Sequence, residues 1–388
     1  MQTNSPELKT RFKKITEEKN LRGKRVLLRL DLNVPVIGDD IRDDFKIRKS
    51  LPTLEFFRSA GAKTIIVSHL ENDLTDSLSR VASYISKLIP LKAFVAKLDE
   101  AHAVVETMAE GDIIILENLR QNLGEKENNP VFAGRLANLA DIYVNDAFAA
   151  SHRDHASIVS LPKLLPSYAG PLLSEEIAAL SKAFNPPRPF LFIIGGAKFD
   201  TKLPLIEKFL DIADYVFVGG ALANDLFREK GYEIGRSVIA QSRINLKHVE
   251  MNPKLIIPAD VITVSTLSKG TKSPDLIGPD EKIVDAGPRT IDQIADLLND
   301  VKFVLWNGPL GDYENGFSEG TENLARALVE SRVETIIGGG DTIACVRKLG
   351  LLDKFSFVST GGGAMVEFLA HGTLLGIDAL TNKLRDSS

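Results

Sequence analysis

The chain has 388 residues, of which 44% are hydrophobic and 26% charged, with a formal net charge of −5. That length exceeds the size at which one core usually stops growing, so two domains are expected, and the acidic balance argues against general nucleic-acid binding. The single cysteine, Cys345, excludes an intramolecular disulfide and fits a reducing compartment.

Met1–Asn20 is polar and lacks the apolar stretch of a signal peptide. No run approaches the roughly 20 apolar residues of a membrane span, so a cytoplasmic protein is expected, a monomer by default, with neither a membrane nor a nucleic acid as partner. Strands are predicted at Val26–Leu30, Lys63–Val67, Ala93–Ala96, Ile113–Leu116 and Asp141–Val144, with helical spacing between them at Ile47–Ser59 and Leu78–Leu88. The segment Pro166-Ser167-Tyr168-Ala169-Gly170-Pro171 then leads to a helical stretch, Leu173–Ala183, closed by Asn185-Pro186-Pro187-Arg188-Pro189. A helix bounded by proline clusters reads as an interdomain connector, with an ordinary surface helix as the alternative.

A second series of strands is predicted at Phe190–Ile194, Tyr215–Val218, Leu255–Ile257, Lys282–Val284, Phe303–Trp306, Thr335–Ile337 and Ser356–Val358. Helices fall at Lys202–Leu210, Leu222–Lys230, Thr290–Asn299, Thr321–Ser331 and Thr342–Leu349. Alternation at this interval predicts an α/β protein of two doubly wound parallel sheets covered by helices. The expected division is 1–171 for the first domain, with 372–388 packing back on it, 172–185 for the connecting helix and 186–371 for the second domain, with a hinge expected around Leu173–Ala183 and Thr360–Gly363.

Ligands of open α/β sheets bind beyond the carboxyl ends of the strands, and there the halves differ. In the first half, Asp31, Asn33, His69, Arg120, His152, Arg153 and His155 stand at strand ends or just beyond. Forked guanidinium groups suit a carboxylate or phosphate. The run Ser151-His152-Arg153-Asp154-His155 holds the residue types of a hydrolase triad, but adjacent residues do not reproduce its geometry and no nucleophile elbow exists. No His-x-x-x-His or Cys-x-x-Cys pair suggests zinc.

The second half offers glycine-rich turns. Gly195-Gly196-Ala197-Lys198-Phe199-Asp200-Thr201-Lys202 follows a strand and opens a helix, a setting for phosphate binding to which Lys198 and Lys202 add charge. It matches neither the Walker spacing nor a dinucleotide fingerprint. Gly219-Gly220 ends another strand. Gly338-Gly339-Gly340-Asp341-Thr342 repeats the strand–glycine–helix setting with a carboxylate, which either caps the helix or ligates Mg²⁺ together with substrate phosphates. Trp306-Asn307-Gly308-Pro309 and Glu314 could line a nucleoside. Cys345 reads as a buried structural thiol.

Taken in order, these segments resemble the phosphoglycerate kinase family over almost the whole chain: Arg29-Leu30-Asp31-Leu32-Asn33-Val34-Pro35, Ser68-His69-Leu70, Leu116-Glu117-Asn118-Leu119-Arg120, Tyr143-Val144-Asn145-Asp146-Ala147-Phe148, His152-Arg153-Asp154-His155-Ala156-Ser157, Gly195–Lys198, Trp306–Gly311, Gly338–Thr342 and Ser359–Ala364. The resemblance implies reversible phosphoryl transfer between 1,3-bisphosphoglycerate and Mg-ADP, giving 3-phosphoglycerate and Mg-ATP, with closure of the domains. It implies that Asp31, Asn33, His69, Arg120 and Arg153 hold the glycerate substrate. Lys198 and Lys202 would face the nucleotide phosphates and the group in flight. Gly196, Ala197, Gly219, Gly220, Asn307, Pro309, Glu314, Gly338, Gly339, Gly340 and Thr342 would contact the nucleotide, and Asp341 would ligate Mg²⁺.

Two positions depart from the family. Lys46, fifteen residues after Asp31, stands where the family has its principal catalytic arginine, and lysine keeps the charge but loses the fork. Arg48 lies two residues on and would point elsewhere on a helix. After Ser68-His69-Leu70 the family usually continues Gly-Arg-Pro; here the chain reads Glu71-Asn72-Asp73. A relative with lost, reduced or redirected activity that still binds nucleotide is therefore the second reading. An unrelated nucleotide-binding α/β enzyme such as a dehydrogenase is the third, against which the missing fingerprint counts.

Overall fold

A computed structural model describes residues 12–38, 40–71, 76–197, 199–240 and 245–381; Asn72 and Lys198 lie outside the described residues. The chain divides into two compact units, Met1–Ala178 with His371–Ser388, and Ala179–Ala370. One division falls inside the helix Pro171–Ser181.

The first unit is built on a six-stranded sheet in the order Ala93–Val95, Ile113–Leu116, Lys63–Val67, Arg25–Arg29, Ile142–Asn145, Ser167–Ala169. Every pairing in it is parallel. Runs such as Ile113-Ile114-Ile115 are β-branched and fully buried, as expected of strands covered on both faces. The chain enters the sheet at Arg25–Arg29 and later crosses to its other side at Ile142–Asn145. The carboxyl ends of those two neighbours, at Asp31 and Asp146, therefore flank a topological switch point.

The second unit carries six parallel strands in the order Leu255–Ile256, Tyr215–Val218, Phe190–Ile194, Phe303–Asn307, Glu334–Gly338, Phe357–Val358. Counted from its first strand this is the 3-2-1-4-5-6 doubly wound order. Its switch point lies between Phe190–Ile194 and Phe303–Asn307, where Gly195-Gly196 meets Asn307-Gly308.

Lys282–Val284, predicted as part of the parallel series, lies elsewhere. Lys282–Ala286 joins Val261–Val264 and Lys269–Lys272 in a separate antiparallel sheet. Val261–Val264 alternates buried and half-buried positions, and the Ser265–Ser268 turn is too short for a parallel crossover. Helices at Leu98–Glu106, Pro130–Ala137, Gly363–His371 and Leu375–Thr381 add to the predicted set. The last packs on the first unit, where Gly376 N–H donates to the Ser151 carbonyl at 2.8 Å. No single helix among the described residues is long and apolar enough to cross a membrane.

The helix after the first strand runs Phe45–Ser59, two residues earlier than its apolar spacing suggests, which places Lys46 in its first turn. Pro171 stands at the first position of Pro171–Ser181, where its missing N–H costs nothing. The Asp146 carboxylate accepts from Leu173 N–H at 2.9 Å in the same first turn.

Candidate functional site

In the first unit a charged cluster forms on the strand ends. Asp31 is 8% exposed. Its Oδ2 accepts from Lys46 Nζ at 2.7 Å, and its Oδ1 accepts from Asn33 N–H at 3.1 Å, fixing the turn that presents Asn33. His69, at the end of Lys63–Val67, is 2% exposed. Arg29 Nη2 lies 3.0 Å from its Nδ1 and Arg153 Nη1 lies 3.4 Å from its Nε2. Arg120, also buried, directs Nη1 at the carbonyls of Leu70 and Glu71, next to His69. Thus Asp31, Lys46, His69, Arg120 and Arg153, drawn from separate segments, gather at these strand ends, with Asn33 on the turn that follows Asp31.

The electrostatics follow from burial. Burial opposes ionisation of Asp31, yet the charges of Lys46 and His69 and the hydrogen bond from Lys46 hold its carboxyl well below the usual range. Burial, then the charge of Arg29, drives the His69 ring well below its ordinary value. A neutral ring lends no charge at pH 7, so Lys46 is what keeps Asp31 ionised there. His155 is pushed down to about 4, first by burial and then by Arg29 and Arg153. Its Nδ1 lies 3.8 Å from the buried Glu125, and His152 Nδ1 is buried without a partner.

Arg48 does not join the cluster. Its guanidinium pairs with Asp44 at 2.5 Å, and Tyr84 Oη donates to the same carboxylate oxygen at 2.6 Å. Arg29, outside the site residues predicted from the sequence, joins the cluster and is fully buried. Its Nε donates to Ser157 Oγ at 3.0 Å and its Nη1 to the Leu30 carbonyl. The available signal was a cation inside the apolar run Val26–Leu30.

In the second unit the glycine turns pack backbone against backbone. Gly195 N–H donates to the Asn307 carbonyl and Gly196 N–H to the Pro309 carbonyl, both at 2.9 Å. Those two N–H groups are already engaged, so the glycines at 195 and 196 serve close loop packing. Gly308 shows why glycine is needed: its φ is +94°, and a Cβ there would lie 2.4 Å from the Gly195 carbonyl oxygen. Gly220 is similar, with φ +62° and a Cβ position 2.7 Å from Gly196 N. Ala197 follows this packed turn, and Gly219 donates to the Ile194 carbonyl at 2.8 Å. Lys202 Nζ folds back onto the Gly195 carbonyl.

Open donors are found one strand further on. The helix Gly340–Lys348 has Gly339 as its N-cap, with no side-chain capping bond. Its first N–H groups have no intrahelical partner. Asp341 sits inside the first turn and is exposed, so it does not cap the helix. Thr342 is fully buried, and its Oγ1 has no hydrogen-bond partner. A side chain at Gly339 would lie 3.6 Å from Thr342 Oγ1 and 3.7 Å from Asn307 Nδ2, so two polar groups flank that turn. Gly338 is packed against Met365 Sδ, to which Asn307 Nδ2 donates at 3.4 Å.

Trp306 is core and not lining: it is fully buried, and its Nε1 donates to the Gly308 carbonyl at 2.9 Å. Pro309 contributes its carbonyl to the loop packing, while Glu314 is exposed on the short 3-10 turn Tyr313–Asn315. Cys345 is buried, and burial pushes its thiol up to about 11. Among the described residues, no group of three or more His, Cys, Asp or Glu side chains is placed to hold a metal ion.

The comparisons agree on one family. The phosphoglycerate kinase family model matches residues 16–372. The chain is 38% identical to phosphoglycerate kinase of Dictyoglomus turgidum, covering 94% of this chain and 98% of that one. It is 40% identical to the Orientia tsutsugamushi protein of the same name, covering 94% and 96%. Among solved structures, phosphoglycerate kinase from Coxiella burnetii superposes with a TM-score of 0.84 at 37% identity, over 96% of this chain and 100% of that one. The Pyrococcus horikoshii enzyme gives 0.85 at 27% identity, over 96% and 99%. The chain belongs to the phosphoglycerate kinase family.

Proposed function

We infer that this kinase transfers a phosphoryl group reversibly from 1,3-bisphosphoglycerate to Mg-ADP, giving 3-phosphoglycerate and Mg-ATP. The observation that carries the reading is the division of labour between the two switch regions. One gathers Asp31, Lys46, His69, Arg120 and Arg153 around a place fit for a small phosphorylated acid. Next to the other, one strand further on, stand an uncapped helix N-terminus and the buried, unpartnered Thr342 Oγ1, fit for nucleotide phosphates. Residues 1–171 with 372–388 form the acid-substrate domain, and 186–371 the nucleotide domain.

Phosphoryl transfer rests on positioning and on positive charge around the migrating group. Arg120, Arg153 and His69 orient the acid, with Asp31 and Asn33 completing its contacts. Lys46 supplies charge where the family uses arginine, held in place by Asp31. Lys198 and Lys202 belong to the nucleotide side, and closure of the domains brings the reacting groups together and excludes water. The lone exposed carboxylate of Asp341 beside free N–H groups fits Mg²⁺, which commonly takes one protein carboxylate plus substrate phosphates. When bound, that ion neutralises phosphate charge. The protein acts as a cytoplasmic monomer on small molecules.

A coupled assay of 3-phosphoglycerate with Mg-ATP, run on wild type and Lys46→Arg, tests the reading. Robust wild-type turnover is expected. Turnover in Lys46→Arg alone would favour the reading of a degraded catalytic site, and silence from both with nucleotide still bound would overturn the assigned reaction.

A further inference from the structure

The contacts of His69 carry an inference about its proton. Guanidinium groups only donate hydrogen bonds, and His69 has one at each ring nitrogen: Arg29 Nη2 at 3.0 Å from Nδ1 and Arg153 Nη1 at 3.4 Å from Nε2. A neutral imidazole has one acceptor nitrogen and one N–H. Only one arginine can therefore donate to it, and the shorter contact identifies Arg29.

Arg29 has no freedom to choose otherwise. Its Nη1 is held by the Leu30 carbonyl and its Nε donates to Ser157 Oγ at 3.0 Å. The Ser157 hydroxyl in turn gives its proton to Glu125 Oε1 at 2.6 Å, and Ser157 N–H donates to Glu125 Oε2 at 3.0 Å. Tyr143 Oη donates to the Ser157 carbonyl at 2.6 Å. Arg29, Glu125 and Ser157 are each fully buried. The direction of each bond from Glu125 through Ser157 and Arg29 to His69 Nδ1 is thus set.

We propose that Arg29, oriented by Ser157 and Glu125, holds His69 as the neutral imidazole protonated on Nε2, so that His69 donates to an anionic oxygen of the acid substrate shared with Arg153. With the proton on Nε2, it and the Arg153 N–H face each other as two donors, in keeping with the longer contact. An anionic oxygen between them satisfies both. The charged groups facing the ring are Arg29 from the first strand, Asp31 just after it, Lys46 from Phe45–Ser59 and Arg153 from the loop before Ala156. Three cations against one carboxylate keep the ring neutral, in accord with its lowered affinity for protons. Arg29 and Glu125 are then positioning residues acting through His69. The donor role rests on the substrate reading above; the tautomer does not.

Long-range proton–nitrogen correlation spectra of ¹⁵N-histidine-labelled protein, with His69→Gln to assign the signal, test this directly. The expected pattern is a bare Nδ1 and a protonated Nε2, unchanged from pH 5.5 to 8. A cationic pattern, an Nδ1–H pattern or averaged tautomers would overturn the proposal. Addition of 3-phosphoglycerate is expected to move the Nε2 signal. If the acid binds, by calorimetry, without moving it, the donor role fails; if the acid does not bind, the substrate reading fails while the spectrum still decides the tautomer.

Two variants extend the test. His69→Gln can place an amide donor near Nε2 and is expected to keep KM for 3-phosphoglycerate within about threefold. His69→Asn reaches only the Nδ1 position and is expected to raise it about tenfold or more, the worth of one hydrogen bond to a charged group. Equal losses in the two would overturn the donor assignment. Arg29→Lys is expected to mix the tautomers and raise KM for the acid about tenfold with the nucleotide KM unchanged; an unmixed spectrum in a folded variant would remove Arg29 from the role. Should that variant not fold, the wild-type spectrum alone decides.

Discussion

Lys46 Nζ and Asp31 Oδ2 stand 2.7 Å apart, with the carboxylate 9% and the ammonium 28% exposed. The charge that replaces the family's arginine is thus anchored on a buried partner. Lys46→Met should lower kcat about 10²–10³-fold, as expected for loss of one preorganised charge near the migrating group. Turnover unchanged within twofold in steady-state assays would remove Lys46 from the transition state.

Asp31 also predicts an acid response. Its folded-state pKa lies below the unfolded value of about 4, so the unfolded chain binds more protons. The stability it contributes is present above pH 4 to 5 and is lost as pH falls towards the folded value. Asp31→Asn should flatten the acid limb of a urea-unfolding profile below pH 4. At pH 7 it should cost about 1–2 kcal/mol, a figure reduced because Lys46 retains some solvent. An unaltered acid limb would contradict the pairing.

Thr342 separates binding from stability. Its hydroxyl is buried and unpartnered, so Thr342→Val removes an unsatisfied polar group and should leave the unliganded protein as stable as wild type or slightly more so. Affinity for Mg-ADP, by titration calorimetry, should fall about tenfold. Undiminished affinity would show that the hydroxyl does not meet the nucleotide.

Much of this arrangement is legible in the sequence, for definable reasons. The parallel strands announce themselves as β-branched runs such as Thr64–Val67. Asp31, His69 and Arg120 are legible because each stands in the polar cluster that ends such a run at its carboxyl end. Arg29 is not, because periodicity reports which face a residue takes and says nothing about where a guanidinium ends. The turn at Gly195-Gly196 shows what strand order adds to a motif. Its glycines suggest bare N–H groups for phosphate, but strand order places Phe303–Asn307 alongside, and the carbonyls of Asn307 and Pro309 take those donors. Lys282–Ala286 looks like another parallel strand because an isolated apolar run carries no information about its neighbour's direction.

Arg120 tests the assignment of the two halves. Its guanidinium is buried beside the carbonyls of Leu70 and Glu71, in the first unit. Arg120→Ala should raise Kd for 3-phosphoglycerate at least tenfold, the loss of a charge-assisted contact, while Kd for Mg-ADP stays within twofold. Equal weakening of both ligands would contradict separate acid and nucleotide sites.

Asp146 yields a pH dependence of opposite sign from Asp31. Its Oδ2 accepts from Thr53 Oγ1 at 2.6 Å and its Oδ1 from Leu173 N–H at 2.9 Å. It therefore ties the helix that carries Lys46 to the first turn of Pro171–Ser181. Burial raises its pKa to about 6, against the hydrogen bonds from Thr53, Leu173 and Leu172. A folded pKa above the unfolded value of about 4 means that the folded state binds the extra proton. The contribution of Asp146 is thus full below pH 4 and is lost as pH rises through 6. Asp146→Asn keeps an acceptor for Leu173 and a polar contact for Thr53 without the buried charge. Between pH 4 and 7 its stability relative to wild type should improve by about 2–3 kcal/mol, the free energy of a two-unit shift. Asp146→Ala leaves the Leu173 N–H unpaired and should instead destabilise by about 2–4 kcal/mol near pH 5. Urea-unfolding free energies at half-unit pH steps distinguish the cases: parallel curves for wild type and Asp146→Asn would show that Asp146 is ionised throughout, and that the contact is an ordinary charged cap.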